Sequence, residues 1–152
     1  MVERARVVTR RFLEEENSML GEKIGEESGK VTSQRVLANP GGIPKMETSF
    51  QTSGTLYGVP HVSRGTYASG VRPDGTVYGE GQGLVMSADG DMASWLGQGV
   101  GTLKKGGAIS YRGTLYYQTA SPKWLRLNSI AAVFEYEVDA QGNTTAGIWE
   151  WK

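Results

Sequence analysis

The chain has 152 residues with 16 basic and 16 acidic side chains, so no net charge favours nucleic acid or an anionic membrane as a partner. It contains no Cys, which excludes a disulfide scaffold and fits a reducing, cytoplasmic compartment. No apolar run approaches the about 20 residues that a membrane helix needs. The length suits one domain, and 22 Gly with few long apolar runs indicate an all-β chain.

Residues 1–20 differ in composition from everything that follows. They contain neither Gly nor Pro and are rich in Arg and Glu, so we predict a helical or disordered N-terminal arm outside a single β-barrel domain at 21–152. The arm lacks the apolar stretch of a secretory signal. Two interpretations stay open: an over-long start with Met19 as the true first residue, or a docking arm for a partner subunit.

The first half of the domain contains three predicted strands. After a polar opening segment, alternating residues indicate strands at 30–37 and 45–58, separated by a Pro- and Gly-rich loop. The run 59–61 is predicted to interrupt this pattern, which resumes as a strand at 62–72. His61 is therefore expected to lie in a solvated loop. Because it is the single His of a chain without Cys, it does not indicate a metal site.

The segment 71–117 has the pattern of a β-meander. Three turns that end in Gly75, Gly90 and Gly106 separate four runs of alternating residues. Each turn fits a three-residue hairpin loop with Gly in the left-handed region. The loops predict these pairs: Leu103 with Gly107, Gly79 with Gly99, Gly81 with Gly97, Gly83 with Trp95, Gly99 with Tyr111, Gly97 with Gly113, and Trp95 with Leu115.

One face of this meander carries no charge and is assigned to the interior. It contains Val77, Val85, Ala93, Trp95, Leu103, Ile109, Tyr111, Leu115, Tyr117 and six alternating glycines on two neighbouring strands. Glycine in the interior of a strand weakens the strand, so a patch of six requires an explanation. Two explanations remain open: the glycines allow tight coiling with aromatic rings lying over bare backbone, or they leave space for a ligand.

The last third completes the strand count. A short helical turn is predicted after Ser121-Pro122, with strands at 130–138 and 144–151 joined by a Gly-containing turn at 140–142. The total is about eight strands, the number at which a closed antiparallel, up-and-down barrel either just fills or holds one small ligand.

Four sequence stretches resemble a known group of proteins. They are GEKIGEESGKVTSQRVL from Gly21, VRPDGTVYGEGQG from Val71, WLGQGVG from Trp95 and the closing WEWK. Together they resemble small uncharacterised bacterial proteins grouped with the allene oxide cyclase-like and dirigent-like eight-stranded barrels. The resemblance covers Gly21 to Lys152 and implies a closed, calycin-like barrel, often oligomeric, with a central cavity for an apolar ligand. The chain has no counterpart of the plant cyclases' binding-site motif, so the resemblance transfers no catalytic residue.

Three functions are consistent with these patterns. The first is binding of a small apolar molecule in the barrel without cofactor or metal. Its expected ligand-binding residues are Trp95, Tyr111, Leu115 and Tyr117. The second is an isomerase or cyclase for an apolar, lipid-like intermediate that Glu26 or Glu135 would polarise. The third is a structural or protein-interaction module whose barrel is filled.

The outward face carries two further features. Glu80, Gln98 and Arg112 fall in one cross-strand row and are interpreted as surface polar pairs. An apolar group on the same face predicts a subunit contact, and therefore a homo-oligomer. Its members are Leu84, Met86, Met92 and Leu96.

Overall fold

The computed structural model of the chain describes residues 19–152, so nearly all of the predicted arm lies outside the described residues. Each strand pairs antiparallel with the next and the last returns to the first, which closes an eight-stranded barrel and confirms the predicted fold class. The strands are β1 (Leu20–Leu37), β2 (Lys45–Leu56), β3 (Val59–Val71), β4 (Val77–Ser87), β5 (Met92–Leu103), β6 (Ile109–Thr119), β7 (Ala132–Val138) and β8 (Asn143–Trp151).

The glycine turns after β3, β4 and β7 form as predicted. Their glycines adopt the left-handed conformation that only Gly takes without steric strain. They are Gly75, Gly90 and Gly142, with φ of 86°, 89° and 81°. The register of β4 on β5 is also confirmed: Gly79 with Gly99, Gly81 with Gly97 and Gly83 with Trp95.

The β5–β6 loop is longer than predicted. Leu103 pairs with Ile109, not with Gly107, because a 3-10 turn at Lys105–Gly107 lengthens the connection. The predicted pairs on this ladder are therefore wrong by two residues, and Gly99 faces Gly113. A shift of two residues leaves every side chain on its assigned face, since faces alternate with a period of two.

The inward face is confirmed by burial. Along β4 to β6, Val77, Val85, Ala93, Tyr111 and Tyr117 are each at most 7% exposed. Leu103 is the exception at 50%, because it lies where β5 leaves the barrel.

β1 is longer than the predicted strand. It begins at Leu20 rather than at residue 30; its first part, Leu20 to Lys30, pairs with β8, and the part from Gly25 to Leu37 pairs with β2. Irregularities in its register occur around Lys23 and between Val31 and Ser33. Such bulges place two residues opposite one and break the two-residue alternation, which hides the strand in the sequence.

The β2–β3 turn lies at Tyr57-Gly58 rather than at 59–61, so β3 begins three residues earlier than predicted. Tyr57 and Gly58 have φ of 48° and 75°, and a two-residue type I′ hairpin loop needs positive φ at both positions. Strand β3 therefore begins at Val59, and the predicted interruption at 59–61 is wrong.

One end of the barrel is closed by the segment between β6 and β7, here called the plug. The predicted helical turn after Ser121-Pro122 forms as a 3-10 helix at Pro122–Ser129. Trp124 and Leu127 are fully buried in it, and the Trp124 indole N–H donates to the Leu56 carbonyl oxygen at 3.1 Å. The opposite end, here called the mouth, lies among the loops at 38–44, 72–76, 104–108 and 139–142.

Within residues 19–152, the helices are too short and too polar to span a membrane.

Candidate ligand-binding site in the barrel

A cavity of about 80 Å³ lies inside the barrel between the plug and the mouth. It brings together all four residues that the sequence assigns to a ligand site: Trp95, Tyr111, Leu115 and Tyr117. The other side chains at its wall include Glu27, Phe50, Tyr67, Phe134, Tyr136 and Ile148. Because one water occupies about 10–15 Å³ by the same kind of measure, the cavity holds roughly five waters or a compound of about one ring.

The glycines opposite the aromatic rings make room for these rings. A Cβ added at Gly83 would lie 2.3 Å from the Trp95 indole, and one added at Gly65 would lie 2.6 Å from the Phe50 ring. Phe50 and Trp95 in turn stack on each other at 6.3 Å between ring centroids. These contacts support the first cause of the glycine patch, which is aromatic rings lying over bare backbone.

Three tyrosines, here called the tyrosine cluster, separate the cavity from the mouth. Tyr67, Tyr111 and Tyr136 lie 5.7 to 6.0 Å apart between ring centroids, and Tyr67 and Tyr111 line both the cavity and the mouth. The hydroxyls of Tyr111 and Tyr136 are buried; that of Tyr111 lies near Ser69 and that of Tyr136 near Tyr67, but neither contact has the geometry of a well-formed hydrogen bond. A small molecule that reaches the cavity from the mouth passes these rings.

The phenols of the cluster keep their protons at neutral pH. Burial raises the pKa of Tyr67 to about 12, with a further contribution from neighbouring Tyr111. Burial also raises the pKa of Tyr111, and it raises the pKa of Tyr136 by a larger amount. Each hydroxyl is therefore a hydrogen-bond donor, and those of Tyr111 and Tyr136 are not committed to a well-formed hydrogen bond within the described chain.

One carboxylate points into this aromatic cavity. Glu27 has a side chain only 9% exposed, its Oε1 lies 2.8 Å from His61 Nε2, and its Oε2 accepts from the Thr52 hydroxyl at 2.9 Å. Because an ionised carboxylate only accepts hydrogen bonds, the His61 ring nitrogen is the donor. Both carboxylate oxygens are thus anchored by buried side chains.

Glycine makes the Glu27–His61 contact possible. Gly54 of β2 pairs with Glu27 of β1 on one side and with His61 of β3 on the other. Strands two apart are separated by about 9–10 Å, so an inward side chain on the middle strand would stand between the two groups. At Gly54 there is none, and the carboxylate and the imidazole meet.

The expectation that His61 is a solvated loop residue is wrong. His61 is 5% exposed and lies within β3, where its ring packs edge-on against Trp124 of the plug at 6.5 Å between centroids. Its Nδ1 is buried without a partner in the described chain. The signal for this position was the pair Tyr57-Gly58. Alternation counted from that turn places His61 on the same face as the buried Ser63.

The two carboxylates that the sequence suggested for polarising a ligand lie elsewhere. The Glu26 side chain is 68% exposed and pairs with Lys23, and the Glu135 side chain is 50% exposed, 3.4 Å from Arg112. Both point outward, so that prediction is wrong. Sequence reasoning missed Glu27 because its polar surroundings read as a loop and because the irregularities in β1 hide which face it occupies.

The predicted outer polar row forms only in part. Glu80 faces Gln98 as expected, but Gln98 then faces Thr114. Arg112 instead contacts Glu135 and Glu137 on β7, because of the two-residue shift between β5 and β6.

The apolar outer group is largely exposed. Leu84, Met92 and Leu96 are 46%, 49% and 66% exposed, and Leu96 faces the exposed Tyr116 on the next strand. Whether these side chains form a subunit contact stays a prediction.

No protein-family model matches the chain, and no curated protein matches its sequence. Solved structures do match its fold. A protein of unknown function from Clostridium acetobutylicum has a TM-score of 0.75 at 13% identity, over 88% of this chain and 97% of that one. A β-barrel-like protein from Acinetobacter baumannii has a TM-score of 0.73 at 13% identity, over 88% and 95%. A conserved protein of unknown function from Rhodopseudomonas palustris has a TM-score of 0.73 at 12% identity, over 86% and 97%.

At such identities the likeness concerns the fold alone. The chain is a closed eight-stranded β-barrel of the kind that these uncharacterised bacterial proteins share.

Proposed function

We propose that the barrel binds one small, mostly apolar molecule in its cavity, with Trp95, Tyr111, Leu115 and Tyr117 as walls. The observation that carries the proposal is a cavity lined by aromatic rings, beside which the tyrosine cluster holds two buried hydroxyls without a well-formed hydrogen bond. An apolar, largely preformed cavity with a few convergent polar groups is the usual form of a small-molecule site. The sequence resemblance to allene oxide cyclase-like barrels supports the same ligand class.

The volume of the cavity limits the size of the ligand. At about 80 Å³ it accommodates a molecule of about one ring, whereas a lipid-like chain would have to extend past the tyrosine cluster into the mouth. The mouth provides a further cavity of about 370 Å³, bordered by Val31, Pro44, Val71 and Ile109. We therefore place the ring of the ligand below the tyrosine cluster and any tail above it.

One observation favours the second candidate function, an isomerase or cyclase. An inward carboxylate on an aromatic wall is more than simple apolar binding requires, and Glu27 is held in place by two buried donors. A completely filled, purely structural barrel is the least favoured of the three, because the cavity lies among side chains that would otherwise be packed against each other.

Two further parts of the proposal concern the state of the protein. The exposed apolar group at Leu84, Met92 and Leu96 supports a homo-oligomer. The absence of Cys from the sequence supports a cytoplasmic location.

Native mass spectrometry of the purified protein, followed by titration with toluene as a purely apolar probe, tests the ligand site. We expect toluene to bind with saturation and to quench or shift the emission of Trp95. In a variant with Gly79→Ala, the added methyl group enters the cavity while its neighbours lie at ordinary contact distances of 3.4 to 3.8 Å. This variant is expected to fold normally and to bind toluene about 10-fold more weakly.

Gly70→Ala is the matched control. Its Cβ would meet only the flexible Lys45 side chain, at 3.4 Å, and Gly70 is not part of the cavity wall. The same substitution should therefore leave toluene binding unchanged. Equal weakening in both variants, or no saturable toluene binding by the wild-type protein, would refute the proposed site.

A further inference from the structure

We propose that the barrel catalyses proton transfer on a small cyclic or aryl carbonyl compound, with Glu27 as the base and the Tyr111 and Tyr136 hydroxyls as donors to the carbonyl oxygen. The proposal rests on the proposed function, since it requires the same cavity to hold the ligand. It adds a substrate class and a reaction. It also assigns the role of the catalytic carboxylate, which the sequence suggested for Glu26 or Glu135, to Glu27 inside the barrel.

The order of residues around the barrel places base and donors on opposite sides of one small gap. Tyr111 pairs with Tyr136, Tyr136 with Ala146, and Ala146 with Glu27. Tyr136 and Glu27 are thus two strands apart, about 9–10 Å by strand spacing. The single methyl group of Ala146 stands between them, and all four residues line the cavity. A ring bound over Ala146 would have Tyr136 on one side and Glu27 on the other.

The donors determine which ligand suits the gap. A buried hydroxyl without a partner is unfavourable, so a ligand that carries an acceptor oxygen gains more at Tyr111 and Tyr136 than a hydrocarbon of equal size. Both phenols remain protonated because burial raises their pKa, and the charge of Glu27 adds to the shift at Tyr136. If both hydroxyls donate to one ligand oxygen, they also stabilise the negative charge that develops there in an enolate.

The base is held in a fixed orientation. His61 and Thr52 each donate to one oxygen of Glu27, and each oxygen keeps a further lone pair that can accept a proton from the ligand. His61 does not line the cavity, so it acts on the ligand only through Glu27 and is a positioning residue. Thr52 has the same role from β2.

The reaction balances without a cofactor. A Glu27 oxygen takes a proton from the carbon next to the carbonyl group, and the electrons of that C–H bond form a C=C bond. The carbonyl π pair moves to the oxygen, where the tyrosine hydroxyls hold it. Glu27 then returns this proton, or one that its carboxyl has exchanged with solvent, to the same molecule, either at the original carbon or at the far end of a conjugated double bond. The second outcome is an isomerisation that regenerates both the carbonyl group and the carboxylate.

Hydrogen–deuterium exchange of cyclohexanone in D₂O, followed by proton NMR, tests this step in the full-length protein. We expect wild-type protein to accelerate exchange at the carbons next to the carbonyl, and to convert 3-cyclohexen-1-one to its conjugated isomer. Glu27→Gln should lower the exchange rate by about 100-fold or more while cyclohexanone still binds. The double variant Tyr111→Phe/Tyr136→Phe should lower it by about 100-fold and bind toluene as wild type does.

Two comparisons separate catalysis from general damage. Glu26→Gln alters the neighbouring carboxylate, which points outward, and should leave exchange unchanged. His61→Gln keeps an N–H donor toward Glu27 and should retain more exchange activity per folded molecule than His61→Leu, which a role in stability alone would not predict.

The outcomes are distinct. Toluene binding without catalysed exchange of cyclohexanone overturns the proton-transfer proposal and leaves the proposed function standing. Exchange that survives Glu27→Gln also overturns it. Failure to bind either compound overturns both proposals.

Discussion

Glu27 and His61 lie on strands that do not pair with each other, yet their polar atoms are 2.8 Å apart across a strand that offers no side chain at that level. Both side chains are at most 9% exposed. A buried contact of this kind ties three strands together through one hydrogen bond. The contact also depends on Gly54, which lies between the two residues on β2 and has no side chain to separate them.

Replacing His61 by Leu should lower the free energy of unfolding by about 1–3 kcal/mol, because the buried Glu27 carboxylate loses a hydrogen bond that water cannot replace. The double variant Glu27→Leu/His61→Leu should recover part of this loss, since no unpaired polar group remains. Urea unfolding monitored by circular dichroism measures both. Losses that simply add would show that the two residues are not energetically coupled.

Gly54→Ala should destabilise the barrel by about 3 kcal/mol, the upper end of the usual cost of overpacking, since the new methyl group has no room. Its Cβ would lie 1.7 Å from the backbone oxygen of Glu26, so the β1–β2 pairing must open. Gly79→Ala is the control, with contacts no closer than 3.4 Å, and should be neutral or slightly stabilising. Thermal unfolding of the two variants gives the comparison, and similar melting temperatures would contradict the expectation.

The barrel should lose stability at alkaline pH because of the tyrosine cluster. In the folded state the pKa of Tyr67 is raised from 10.0 to about 12. A folded-state pKa above the unfolded value means that stability is complete below pH 10 and declines as pH rises through about 12, since the unfolded chain releases the proton first. Thermal melts between pH 7 and pH 12 should show this decline. In the Tyr67→Phe variant the melting temperature should fall less steeply with pH. If it falls as steeply as in the wild-type protein, Tyr67 is not the cause of the decline.

Leu96→Lys should shift the proposed homo-oligomer toward monomer, because a charge would be placed within the exposed apolar group, at its most exposed member. Leu103→Lys is the matched control: Leu103 is similarly exposed, at 50%, but lies at the mouth. Sedimentation velocity of both variants and of the wild-type protein measures the distribution. A wild-type protein that is monomeric at micromolar concentration would contradict the oligomer itself.

The residues that the sequence places well are those governed by local rules. Gly75 and Gly90 end hairpin loops whose geometry depends on a positive φ, and this is enough to pair β4 with β5 correctly. The inward side chains Trp95 and Tyr111 follow from alternation, which survives the misjudged loop after Leu103 because the error is an even number of residues.

The polar centre could not be predicted in the same way, because it depends on how distant strands are brought together. Glu27 lies in an irregular β1, and its partner His61 is 34 residues further along the chain. Their contact requires the register of two ladders and the missing side chain of Gly54 between them. Tyr57 hid the turn before β3, because a non-glycine residue at φ 48° is an uncommon start for a hairpin loop.

The course of the chain gives the barrel two ends with different uses. Both ends of the described chain are at the plug, where the Lys152 amide donates to the Met19 carbonyl oxygen at 3.1 Å and Trp151 faces Leu20. A fluorophore, a resin or a fused domain attached at Lys152 would therefore lie at the plug end of the barrel and leave the mouth free for small molecules.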